Sequence, residues 1–175
     1  VTNTNVTHAI GHGLFPEWCP MPGTGLDGAD QILFQRPRER GDRNFAVWTI
    51  DYANGNVGSP TELAASTDEA FVNPTWSPDG TQIVFASISK PNDRSNPDLV
   101  EADLWMMETT GRGLVNLTQG TARDLMPVWG TDHQIYFVSA RGGRENIWAL
   151  DARPALLAAS GEAANPNTFA NAPTE

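Results

Sequence analysis

The hydrophobic positions along the chain recur in three similar units. Each unit contains a Pro-x-Trp motif, then a short apolar run ending in Phe, then a second apolar run with another Trp and a nearby acidic residue. The first tryptophans of the units are Trp18, Trp76 and Trp129, which lie 58 and 53 residues apart. A repeat of this length is the signature of a repeat architecture. The chain is therefore predicted to be an array of similar structural units.

Each unit is predicted to be a small antiparallel sheet. Its apolar runs are rich in β-branched and aromatic residues and are bounded by Gly, Asp and Pro, which is typical of strands. The first runs are QILFQR (31–36), QIVFAS (82–87) and QIYFVS (134–139), and the second are FAVWTID (45–51), DLWMME (103–108) and NIWALD (146–151). Extended segments follow at 60–66 and 114–120, and SPDG at 77–80 predicts a tight turn. Four strands in about 40–50 residues form the blade of a β-propeller.

The central unit carries a family resemblance. Its Trp-Ser-Pro-Asp-Gly, Ile-x-Phe strand, Trp-bearing strand and Asn-Leu-Thr resemble the TolB-type, WD40-like β-propeller repeat. The resemblance covers about residues 6–151 and is fullest over 74–120. It implies an all-β fold of about three four-stranded antiparallel blades. It says little about function, because propellers serve both as binding proteins and as parts of enzymes.

The N-terminus lines up with the end of a unit. NVTHAIGHGLFPEW (5–18) matches NLTQGTARDLMPVW (116–129) without a gap, whereas no Asn-Leu-Thr strand follows Asp151. We therefore expect an N-terminal strand at about 4–10 to complete the third blade. The expected organisation is one domain over 1–160, followed by an extended or disordered tail over 161–175. Its blades span about 16–72, 73–126, and 127–151 together with strand 4–10.

Three blades are too few to close a ring, since propellers typically have about four to eight. Two chains could pair into a six-bladed ring, the three blades could form an open arc docked on another protein, or the chain could have lost blades to processing. All three alternatives predict a surface that associates with protein.

The composition and net charge of the chain limit the classes of partner that it is expected to bind. The chain has 175 residues and a formal net charge of −10, which disfavours nucleic acid and anionic membranes as ligands. No apolar run approaches the ~20 residues of a membrane-spanning helix, so no integral membrane segment is expected. The single cysteine, Cys19, provides no disulfide framework. The resemblance to TolB-type repeats implies a bacterial, periplasmic or otherwise extracytoplasmic protein.

No catalytic motif is present in the sequence. The three histidines are His8, His12 and His133, and no nucleophile is accompanied by an orienting base in a known pattern. We expect neither catalysis nor a cofactor. A weak candidate calcium site consists of oxygen ligands in the loop at 89–103, although a solvated acidic loop is the preferred interpretation. Its residues are Asp93, Asp98, Glu101 and Asp103.

Several residues are candidates for binding a protein partner. Arg36, Arg38, Arg40 and Arg43 concentrate positive charge in one hairpin of an acidic chain, which favours docking to an acidic partner. The alternative is an exposed hairpin that Glu39 and Asp42 partly neutralise. Aromatic anchors are expected on the terminal blade and in the tail, namely Phe15, Trp18 and Phe169.

The sequence favours a non-catalytic interaction or scaffold subunit that braces or bridges a larger extracytoplasmic assembly, or that associates with itself as a dimer. The alternative is a propeller that binds a ligand, saccharide or metal, or the accessory domain of a hydrolase. The two hypotheses differ in whether the blades form a complete ring, because a central binding funnel requires one.

Overall fold

The computed structural model describes residues 7, 9–41, 43–89, 100–120 and 122–160, together with the backbone of 170–171. These residues form three antiparallel sheets, one short 3-10 turn at Leu26–Gly28 and one helix, α1, at Arg153–Ala159. The prediction of an all-β fold with three antiparallel blades is confirmed. No sheet closes into a barrel, and the first packs on the second and the second on the third.

The three sheets follow one another along the chain. The first blade contains β1 (Leu14–Trp18), β2 (Asp30–Pro37), β3 (Phe45–Ala53), β4 (Asn56–Val57) and β5 (Thr61–Ala64). The second contains β6 (Glu69–Trp76), β7 (Gln82–Ser89), β8 (Ala102–Glu108) and β9 (Val115–Asn116). The third contains β10 (Asp124–Trp129), β11 (Gln134–Ser139), β12 (Asn146–Asp151) and β13 (Ala170–Asn171). In each blade the first three strands pair in chain order.

The Pro-x-Trp motif makes the same bulge in every blade. Phe15, Asn73 and Met126 precede the three prolines and have φ of 52°, 51° and 54°. The register of the first strand against the second shifts at these places. Proline has no N–H to donate to the ladder, so the strand bulges there. The ladder resumes at the tryptophan, which places the indole in register with the following strand.

Two apolar interfaces hold the blades together. In the first interface, Leu33 and Val47 of the first blade pack on Trp76, Ile83 and Phe85 of the second. The second interface repeats this arrangement one blade further on, with α1 at its border. Its buried residues include Val84, Leu104, Met106, Trp129, Ile135, Phe137 and Leu150, with Ala155 of the helix. Each blade therefore offers one face to the preceding blade and the opposite face to the following one.

The expected N-terminal strand at about 4–10 falls mostly outside the described residues. The fourth place in the third blade is taken by β13, which pairs with Ala149 and Leu150 of β12. Ile10, the last residue of that segment, packs against the first blade, on the cluster that includes Ile32 and Ile50. Residues 1–6 and 8 lie outside the described part, as do 161–169 and 172–175 of the tail.

The predicted blade boundaries differ from the observed sheets in position. The boundaries at 72/73 and 126/127 fall inside β6 and β10, because each first strand begins before its Pro-x-Trp motif.

Candidate functional site

The last blade exposes an apolar sheet face. Val128 of β10 lies beside Tyr136 of β11, which lies beside Ala149 of β12, and Val138 lies beside Ile147. We call these five residues the third-blade face. Val128 is 60% exposed, Tyr136 39% and Ile147 71%. Solvent-exposed side chains of this size on adjacent strands are characteristic of a binding surface.

The residues that correspond to Tyr136 and Ile147 in the earlier blades are completely buried. Leu33 and Val84 occupy the place of Tyr136, and both are 0% exposed. The place of Ile147 is taken by Val47 and Leu104, which are also 0% exposed. The following blade covers them in each case. The third-blade face thus has the composition of a blade interface, without a following blade in the part of the chain that the structure describes.

The first blade has an apolar face that no other blade in the described part of the chain covers. We define the first-blade face by Trp18, Ile32, Phe34, Trp48 and Ile50, which lie side by side on β1, β2 and β3. Residues 10–13, here called the N-terminal segment, run over it. An open pocket of about 320 Å³ lies beside them, lined in part by Ile10, Gly13, Ile32, Phe34 and Ile50. Ile32, Phe34, Trp48 and Ile50 are nevertheless buried, and Trp18 is the exposed member of the face.

Trp18 stands at the edge of this cover. Its side chain is 49% exposed, and its ring meets Tyr52 edge to face at 5.8 Å between centroids. The equivalent Trp76 and Trp129 are buried in the two blade interfaces. The structure thus places this predicted anchor where a preceding blade would contact it.

The four predicted arginines separate into two kinds. Arg36 is buried, with its guanidinium 3.8 Å from the centre of the Trp48 ring, and it donates to Glu39 at 2.6 Å. Arg38 lies 3.8 Å from a carboxylate oxygen of Glu62. Arg40 and Arg43 are exposed. A docking role for this hairpin therefore rests mainly on Arg40 and Arg43.

The three bulges meet in one open cleft. Phe15, Pro74 and Met126 contribute to its lining, and its volume is about 350 Å³. Phe15 and Met126 are more than half exposed. The cleft is the part of the propeller centre that three blades can form. The third predicted anchor, Phe169, lies outside the residues whose side chains are described.

The acidic candidates do not assemble into a described metal site. Glu101 is exposed, and Asp103 accepts a hydrogen bond from the Asn116 amide at 3.2 Å. Burial raises the pKa of Asp103, and the nearby carboxylates of Asp124, Glu101 and Glu69 raise it further. Asp93 and Asp98 lie outside the described residues. Within the described ranges, no three His, Cys, Asp or Glu side chains are grouped so as to hold a metal ion.

Sequence reasoning missed the third-blade face. The signal was present, because aligning QIYFVS and NIWALD with the earlier strands places Tyr136 and Ile147 at interface positions. What the alignment could not give was which of the two ends is covered, since that depends on the path of the N-terminal segment.

Comparison with known proteins supports the fold. No protein-family model matches the sequence. A putative TolB from Agrobacterium tumefaciens superposes with a TM-score of 0.55 at 20% identity, over 85% of this chain and 44% of that one. TolB from Acinetobacter baumannii gives 0.52 at 19% identity, over 79% and 29%. The fold is TolB-like.

The TolB-like fold also occurs in an enzyme. A puromycin hydrolase gives a TM-score of 0.53 at 17% identity, over 79% of this chain and 20% of that one. The chain spans less than half the length of each of the three proteins. The shared fold therefore does not by itself decide between a binding module and part of an enzyme. None of the described helical segments has the length and apolar character needed to cross a membrane.

Proposed function

We propose that this protein is a non-catalytic protein–protein interaction module that associates through the third-blade face. One comparison carries the proposal: Ile147 is 71% exposed, whereas Val47 and Leu104 at the same place in the other blades are 0% exposed. Covering a Val, Ile or Leu side chain contributes about 1.5–3 kcal/mol. A few such residues on a rigid sheet provide the centre of a protein interface.

The rest of the molecule suits this role. Two packed interfaces hold the three blades, so the exposed side chains keep fixed positions and little ordering entropy is lost on binding. The exposed Arg40 and Arg43 steer an acidic partner, and the resemblance to TolB-type repeats implies an extracytoplasmic location. The proposed scaffold role follows from the rigid packing of the three blades combined with the exposed third-blade face.

Site-specific photocrosslinking tests the proposal. A photoreactive amino acid replaces Ile147 in one variant and Leu26, which is 75% exposed on the loop after β1, in a matched control. We expect a discrete protein crosslink from position 147 and none from position 26, in the source cell or with the purified chain. Equal labelling from both positions, or none from position 147, would show that this face binds no protein.

A further inference from the structure

We infer that the third-blade face is occupied by the first-blade face of a second copy of this chain, and that the N-terminal segment must leave before the copies join. The inference rests on the proposed function, because it names the partner of the same surface. It makes the segment a built-in competitor of assembly.

The chain itself shows what covers such a face. In the first interface the covering residues include Trp76, Ile83 and Phe85. The covering residues of the second interface are their repeats, Trp129, Ile135 and Phe137. The first-blade face presents the same set at the same strand positions, namely Trp18, Ile32 and Phe34. The complement of the third-blade face is therefore already present on each copy.

The third-blade face has kept the volume of an interface. In the second blade, Val84 lies beside Met106, and both are buried under the third blade. At the same two places the third blade has Tyr136 beside Ala149. The larger side chain is on the third strand of the second blade (Met106) but on the second strand of the third blade (Tyr136). The two pairs therefore fill similar volumes. Such volume-conserving changes are the ones that packed interfaces tolerate best.

The N-terminal segment leaves two imperfections on the first-blade face, although Ile32, Phe34, Trp48 and Ile50 are buried. The first is the pocket of about 320 Å³, which is open to the surface. The second is that the Trp48 indole nitrogen and the Arg36 Nε are buried without a hydrogen-bond partner. In the third blade the equivalent indole, of Trp148, donates to the Ser139 carbonyl at 3.1 Å. A cover that also fills the pocket would therefore compete with the segment for this face.

Gly13 allows the segment to lie on this face. A Cβ at this position would lie 2.4 Å from the Phe34 ring, so any larger residue must push the segment or the ring away. At Gly11, by contrast, a Cβ would meet Ile50 at an ordinary contact distance of 3.9 Å. A substitution at position 13 is thus a means of releasing the segment.

Two copies joined in this way close on themselves. The third blade of each copy meets the first blade of the other, and a two-fold axis relates the two identical contacts. The described parts of the two copies together supply six blades, within the range of about four to eight in which propellers close. A third-blade face pairing with the same face of a second copy would leave the N-terminal segment in place, which gives the two arrangements different signatures.

Light scattering on the purified full chain measures the assembly as a function of concentration. We expect a monomer–dimer equilibrium. Gly13→Val should tighten the dimer by about tenfold, equivalent to the release of about 1.4 kcal/mol of competing contact. Ile147→Glu should weaken the dimer by about 100-fold or more, because a carboxylate would be buried in the contact. Leu26→Glu, the exposed control, should leave it unchanged.

Hydrogen exchange on the dimer identifies the arrangement. We expect slower exchange in β2 and β3 as well as in β11 and β12 as the dimer forms, because both faces take part in the contact. A dimer that slows exchange in β11 and β12 alone, or that persists in Ile147→Glu, overturns the inference. So does a chain that stays monomeric, with or without Gly13→Val, at the highest concentration at which it remains in solution.

The two proposals fail separately. If position 147 crosslinks only to a different protein and the chain is monomeric, the interaction function stands and the second copy is wrong. If position 147 crosslinks to nothing and the chain is monomeric, both are wrong.

Discussion

Glu17 of the first blade reaches across the first interface to Trp76 of the second. Its carboxylate accepts hydrogen bonds from the Trp76 backbone N–H at 3.3 Å and from the Thr75 hydroxyl at 3.2 Å. Its main-chain carbonyl accepts a further bond from the Trp76 indole at 3.3 Å. Burial raises the pKa of Glu17, because desolvation outweighs the two bonds to the carboxylate. An acidic side chain thus joins two blades at a cost in solvation.

Replacing Glu17 separates the bonds from the charge. Glu17→Ala should lower the free energy of unfolding by about 1–3 kcal/mol, since it leaves the Trp76 N–H without its acceptor. Glu17→Gln keeps an acceptor oxygen and removes the charge, so it should be at least as stable as wild type at neutral pH. Urea denaturation of the three proteins measures these differences.

The pH dependence of the free energy of unfolding is the control for the comparison of Glu17→Ala with Glu17→Gln. Because the pKa of Glu17 is raised by folding, its ionisation opposes folding, and the cost appears as the pH rises through the folded pKa. The advantage of Glu17→Gln should therefore vanish below the ordinary glutamate pKa of 4.5. A Gln variant as unstable as the Ala variant at neutral pH would mean that the negative charge itself holds the blades together.

Equivalent residues in neighbouring blades should differ sharply in their effect on stability. Leu104→Ala removes a fully buried side chain from the second interface, so the free energy of unfolding should fall by about 2–5 kcal/mol. Ile147→Ala, at the same place in the third blade, should change it by less than about 0.5 kcal/mol. Chemical denaturation at concentrations where the chain is monomeric makes the comparison. Similar losses in both variants would show that the chain covers Ile147 by itself.

Much of the fold could be predicted from the sequence, because the repeat presents each local signal several times. Gly80 follows Pro and Asp in the central turn, and its φ of 68° is the left-handed conformation that such a turn requires. The three prolines likewise mark three bulges. Local chemistry of this kind depends on adjacent residues, so it can be read without knowing the rest of the fold.

Long-range packing decided what the sequence could not. The match between 5–18 and 116–129 correctly predicted that Leu14 and Leu125 occupy equivalent positions on the first strands of two blades. The match does not give the path of the chain before Leu14, because the packing of Ile10 on the apolar face of the first blade depends on the folded chain and not on adjacent residues. Arg36 was likewise interpreted as an exposed charge, since only the folded strand shows it stacked on Trp48.

The equivalent turns of the second and third blades differ in one testable residue. His133 has a φ of 65° at the place of Gly80. A non-glycine residue in this region costs about 1 kcal/mol, so His133→Gly should raise the free energy of unfolding by about 0.5–1 kcal/mol. Thermal or urea denaturation measures it. A destabilised variant would mean that the imidazole makes contacts worth more than the strain.

Gly80 itself should be intolerant of a side chain for two reasons that a control can separate. A Cβ there would have an unfavourable φ and would lie 3.0 Å from the Cys19 sulfur and 3.1 Å from Met21. At Gly28 the φ of 77° is similar but no atom lies within 4 Å. Gly28→Ala should therefore cost about 1–2 kcal/mol from strain alone, and Gly80→Ala should cost more. Equal losses in the two variants would remove the steric contribution.

The ionised carboxylate of Asp103 should lower the free energy of unfolding at neutral pH, and this cost should be absent at acid pH. Burial raises its pKa, followed in effect by the carboxylates of Asp124, Glu101 and Glu69, and its Oδ1 is buried without a hydrogen-bond partner. A raised pKa in the folded state means that ionisation opposes folding, with the cost complete above the folded pKa and absent below the unfolded value of 3.8.

Asp103→Asn should therefore stabilise the protein at neutral pH by up to about 1 kcal/mol, a gain that solvent screening limits. The gain should vanish below pH 3.8. Glu101→Gln, at an exposed neighbour, should have a smaller effect. Urea denaturation across this pH range measures the difference, and an Asn variant that is less stable at neutral pH would show that the carboxylate is needed where it stands.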